Sequence, residues 1–142
     1  MRSLDYTRDL FNLMRYSNIF LGTSLEMDEN DDFFTVGSIT LSQRLEKIIG
    51  QDLSISLFDT GEMLLEVNFD VDKMQGKKKD FLNRTMEYLE ARKDLDGSDI
   101  IEFSDKTVFL VSVKEVTGDN LKAKYEMLHQ ILRAVVDELE TM

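Results

Sequence analysis

The chain has 142 residues, no cysteine, no proline and no tryptophan, and a formal charge of −11 from 28 acidic against 17 basic residues. Its length predicts one domain, residues 1–142, burying ~68–70% of the surface its unfolded chain exposes. The absent cysteines exclude disulfides, thiolate nucleophiles, cysteine-ligated zinc and iron–sulfur clusters, and the acidity argues against nucleic acid and anionic membranes, which both select positive surface.

In chain order, Asp5 to Ile19 reads as a first helix. Leu10, Leu13, Met14 and Ser17 fall at helical spacing, with Phe11 and Phe20 adding apolar bulk. Leu21-Gly22-Thr23-Ser24 breaks it. Met27 to Asp32 forms a compact acidic loop, and a β-prone stretch restarts at Phe33-Phe34-Thr35-Val36. Leu45, Ile48 and Ile49 share a face in Ser42 to Ile49, which predicts a short helix closed by Gly50 at its C′ position.

Two hairpins follow. Leu53, Ile55 and Leu57 alternate with serines, Asp59-Thr60-Gly61 is turn chemistry, and Met63, Leu65, Val67 and Phe69 line one face of the returning strand. Glu62, Glu66, Asn68 and Asp70 line its other face. A second hairpin spans Ile100 to Val116, with Ile101 and Phe103 matched to Phe109, Val111 and Val113 across Ser104-Asp105-Lys106. Each hairpin leads into an amphipathic helix. Phe81, Leu82, Met86 and Leu89 stripe the helix near Asp80 to Lys93. Leu121, Tyr125, Leu128, Leu132, Val135 and Leu139 stripe the one from Asp119 to Leu139. The predicted class is therefore α+β: an antiparallel sheet of four to five strands built from hairpins, covered by helices, in α-β-ββ-α-ββ-α order.

No residue set spells out chemistry. With Asp28, Asn30 and Asp32 as the first calcium ligands, an EF-hand loop requires glycine and glutamate where the chain has Phe33 and Ile39. His129, the only histidine, lies beside the apolar stripe of the last helix and reads as a partly buried structural residue. There is no G-x-S-x-G elbow, P-loop, G-x-G-x-x-G or H-E-x-x-H. Lys77-Lys78-Lys79, with Lys73 and Arg84, forms the one basic cluster and reads as an exposed connector. No catalytic residue, metal ligand or cofactor is expected. The Phe-rich N-terminal third is the best interaction candidate, through Phe11, Met14, Phe20, Phe33 and Phe34, with core packing as the competing assignment for each of them.

This order resembles class I type III secretion chaperones and the related YbjN-like proteins, which are small and acidic. The match runs through helix 5–19, a strand around Phe33 to Leu41, hairpin 53–71, helix 80–93, hairpin 100–116 and helix 119–139. The passage from Ser98 to Met142 is most alike, with its acidic turn at Asp105 and its Val116-Thr117-Gly118-Asp119 entry to the last helix. The helical signal at Ser42 to Ile49 departs from the family's order. The resemblance implies a cytoplasmic homodimer that performs no chemistry and binds an extended segment of a client protein. Leu82, Met86 and Leu89 would serve dimerisation, while the first helix and exposed sheet surfaces would bind the client. Two other classes stay open. An acidic inhibitor or immunity-type protein would block a basic target and lose it in salt. An enzyme with a dispersed carboxylate site would hold a buried Asp or Glu in a concave pocket.

Overall fold

The computed structural model describes residues 3–15, 22–27, 33–39, 49–70 and 78–140. After a 3-10 turn at Ser3–Tyr6 come α1 (Thr7–Arg15), β1 (Gly22–Met27), β2 (Phe33–Ile39), β3 (Ile49–Phe58) and β4 (Met63–Asp70). They are followed by α2 (Lys78–Ala91), β5 (Gly97–Glu102), β6 (Lys106–Val113) and α3 (Leu121–Glu140). The strands form one antiparallel sheet in the order β1-β2-β3-β4-β6-β5. The expected α+β class and hairpin-built sheet are present.

Among the described residues the sheet has six strands where four to five were expected, and β1 is the addition. Its Gly22-Thr23-Ser24 start reads locally as a helix breaker, yet each of its residues pairs with β2. Register explains why. Leu25 stands opposite Val36, Val36 opposite Ile55, Ile55 opposite Leu65, and Leu65 opposite Val111, so one aliphatic row crosses five strands. Of the helix expected over Ser42 to Ile49, residues 42–48 lie outside the described residues. Gly50, expected to close it, sits inside β3, where a register shift falls between Ile49 and Leu53.

The first hairpin turns as its sequence requires. Gly61 donates its N–H to the Phe58 carbonyl and Phe58 donates to the Glu62 carbonyl, both at 2.9 Å. Gly61 takes φ +88, the left-handed conformation that closes a three-residue hairpin loop. Its carbonyl also accepts the Val116 N–H at 2.9 Å, which ties the turn to the segment leading into α3.

The three helices among the described residues pack on one face of the sheet. Leu10 and Met14 of α1, Phe81 and Leu89 of α2, and Leu121, Tyr125, Leu128, Ile131, Leu132 and Val135 of α3 join one core. Alternate residues Ile55, Leu57, Met63, Leu65, Val67, Phe69, Phe109, Val111 and Val113 meet them from the strands. Phe69, Phe81 and Phe109 interlock. Their ring centroids lie 4.6 to 5.8 Å apart, and the Phe81 and Phe109 planes are nearly parallel at 5°.

Two expected stripes are rotated. On α2 the buried positions are Phe81, Thr85 and Leu89, spaced by four, so Met86 turns outward at 40% exposure and Leu82 is half-buried. On β5 the core side belongs to Ile100, opposite Phe109. Ile101 pairs with Val108 on the far face, and Phe103 is exposed. Two adjacent isoleucines carry no alternation, so local pattern cannot choose between them; the pairing with β6 does.

Candidate functional site

The connector from α2 into β5 is pinned before the strand begins. Arg92 donates both arms of its guanidinium to Asp94, at 2.6 and 2.8 Å, and another N–H to the Tyr88 hydroxyl at 3.0 Å. The paired guanidinium in turn holds the Asp94 carboxyl below its ordinary range. Asp96 donates its backbone N–H to the Ser112 carbonyl, and its carboxylate accepts the Lys114 N–H at 2.6 Å. Gly97 then passes Ser112 so closely that a Cβ would lie 2.9 Å from the Ser112 Oγ. These contacts set the register of β5 against β6.

That register leaves an open edge. β5 is the last strand of the sheet, so only β6 pairs with it among the described residues. The Phe103 N–H donates to the Lys106 carbonyl at 2.8 Å. By the alternation of an antiparallel ladder, odd-numbered residues of β5 bond toward β6, and the backbone groups of Ser98, Ile100 and Glu102 point away from it. The Ile100 N–H is met by Asp99 itself, whose Oδ1 accepts it at 2.9 Å.

Beside this edge the far face of the sheet is partly apolar. Ile101 is 36% exposed and Phe103 49%. Ile101 stands opposite buried Val108, and the half-buried Leu110 and Leu64 belong to the same face. No described helix contributes to this face, since all three join the core on the other side. Exposed carboxylates lie along this strand and its turn, Asp99 on the far face, Glu102 on the core side and Asp105 in the turn.

A second concavity lies between α1 and α3. It is an open cleft of about 550 Å³ lined in part by Asp9, Leu13, Lys122, Tyr125, Glu126 and His129. Half-buried His129 sits 5.7 Å from the Tyr125 ring. Burial, and then the positive charge of Arg133, hold its imidazole below the ordinary 6.5, against an opposing pull from Glu126. The folded state therefore resists a proton that the unfolded chain accepts, so this stabilising contribution is complete above pH 6.5 and declines as the pH falls below it. Urea midpoints recorded from neutral to mildly acid pH should fall more steeply for the native chain than for His129→Gln. Parallel curves would mean that His129 titrates alike in both states.

The other expected site residues are scattered. Met14 is fully buried and Leu89 is 3% exposed, so both serve the core and offer no surface in this state. Phe11 is half-buried against the same core. Phe33 and Phe34 occupy register positions opposite Phe58 and Leu57. Phe20 and the acidic residues 28–32 lie outside the described residues, as do Lys73 and Lys77. Lys79 is exposed, and Arg84 forms an exposed 3.6 Å ion pair with Glu138 of α3, a bond worth little in water. Among the described residues no buried side chain is an Asp or Glu, no cluster of three His, Asp or Glu is placed to hold a metal, and no helix is long and apolar enough to cross a membrane. The β5 edge was missed because Ile101 and Phe103 were assigned to the core. The signal that could have found it was the Ile100-Ile101 pair, which cannot place both residues on one face.

No family model and no curated protein matches the chain. One solved structure does. It is the crystal structure of YbjN from E. coli, a candidate transcription regulator, at 16% identity over 97% of this chain and 86% of that one, with a TM-score of 0.44.

Proposed function

We propose that this protein performs no chemistry and binds protein, as an adaptor or chaperone-like carrier holding an extended segment of a client. The observation that carries the reading is the β5 edge, a strand that among the described residues pairs only with β6, with Ile101 and Phe103 exposed beside it. An open edge with adjacent apolar side chains is the surface that strand-like peptides use, backbone bonds giving affinity and side-chain contacts giving choice. The cysteine-free, acidic composition suits a cytoplasmic location. Met86, exposed beside half-buried Leu82 on α2, is the part of the expected dimer face that retains surface.

A second reading rests on the charge of −11: an acidic protein that covers a basic target. Salt separates the two. Exposed charge contacts are screened beyond ~10 Å at 0.1 M ionic strength, whereas apolar contact and backbone bonds persist. A tagged pull-down from source lysate should retain a client through a high-salt wash, and the Ile101→Asp, Phe103→Asp double variant should lose it. A basic target released by salt, and held equally by both proteins before the wash, would establish the second reading. An empty column would count against both.

A further inference from the structure

Resting on the protein-binding reading, the geometry points to a more specific occupant: we infer that the β5 edge accepts one cationic, partly apolar strand as a seventh strand of the sheet. In this arrangement the Asp99 carboxylate exchanges the Ile100 N–H for a lysine or arginine of the incoming segment.

Charge decides the occupant. Asp99, Ile101 and Phe103 share the far face of β5, while Ile100 shares the core side with Glu102. An antiparallel partner therefore meets apolar side chains at Phe103, Ile101 and Ile100, and carboxylates at Glu102 and Asp99. Read from its N-terminus, the complementary strand has the pattern apolar, basic, apolar, apolar, basic. A second copy of this chain fits less well, because β5 (Gly97–Glu102) carries no lysine or arginine and offers neither the Asp99 nor the Glu102 carboxylate a cation.

Asp99 gives the edge its selectivity. Its Oδ1 already satisfies the Ile100 N–H at 2.9 Å, so the edge in isolation is partly capped. A neutral or acidic strand displaces that carboxylate and leaves it beside the new strand without a partner, which is costly where water is excluded. A basic strand supplies the Ile100 N–H with a carbonyl and the Asp99 carboxylate with a cation. The cap therefore acts against indiscriminate edge pairing and in favour of one class of strand.

The probe is a synthetic peptide, Val-Lys-Val-Val-Lys-Thr, compared with its Glu-for-Lys analogue and with a scrambled peptide of the same composition. Backbone amide exchange is followed by NMR on the full chain. The lysine peptide should slow exchange at Ile100 and Glu102 at saturation, with little change at Ile101. It should bind at least tenfold more tightly than either control. Asp99→Lys should weaken it about tenfold with an unchanged melting temperature, Asp99→Asn should weaken it less, and salt should weaken it severalfold without abolishing it. Three results overturn the inference: equal binding of the scrambled peptide, binding without slowed exchange at Ile100, or no peptide binding. Each leaves the broader reading standing if the pull-down still retains a client that the Ile101 and Phe103 substitutions release. A dimer that forms on adding salt and protects the same amides would replace the cationic strand with a second copy.

Discussion

Phe109→Ala should destabilise the protein by about 3–5 kcal/mol, the cost of emptying a large aromatic site in a core that cannot fully collapse around it. Phe109 is 2% exposed, and its ring meets both Phe69 of β4 and Phe81 of α2, which also meet each other. It is the position at which the sheet centre and the connecting helix are joined, so the loss falls on both. Against a total stability of ~5–15 kcal/mol for a domain, this is a large fraction. The melting temperature should drop by roughly 10–20 °C. Phe103→Ala serves as the internal control, since its ring is half in solvent and its removal should stay within about 0.5 kcal/mol. Equal effects from the two substitutions in urea or thermal melts would contradict this division between core and edge.

Met14→Ala should cost about 2–5 kcal/mol, because its fully buried side chain, with Leu10, fastens α1 to the core. Phe11→Ala should cost less, since Phe11 is only half-buried. Neither substitution should selectively impair client capture at a temperature where the variant remains folded. The comparison matters because Met14 and Phe11 are adjacent to one another on the helical repeat and equally apolar, so sequence offers both as surface or as core. A Met14→Ala protein of native stability that has lost its client would return Met14 to the binding surface.

The first hairpin and the last helix were readable because each is specified locally. In Leu53 to Phe69 a strict period of two runs into Asp59-Thr60-Gly61, and the left-handed Gly61 closes the turn in the place that sequence assigns to it. The last helix repeats its apolar positions over five turns, long enough that Ile131, absent from the expected stripe, changes its width and not its direction. The α2 stripe was less legible. Its Leu82 and Met86 are as apolar as Phe81 and Leu89, and Thr85, which lies on the buried line, looks polar in isolation.

Taken by itself, the sequence determined the class of each well-patterned element, the acidic character of the surface and the exclusion of cysteine chemistry, since these depend on composition and on spacings of two to four residues. Only the tertiary structure decided that Gly22–Met27 joins the sheet as β1, that β6 lies between β4 and β5, and that Ile100 faces the core while Ile101 faces out. These outcomes depend on pairings between residues far apart in the chain. A glycine-led segment becomes a strand when a neighbour continues its aliphatic row, and an isoleucine pair is divided by the register of the strand beside it. The candidate site belongs to this second group, because an edge exists only once every other strand has found its place.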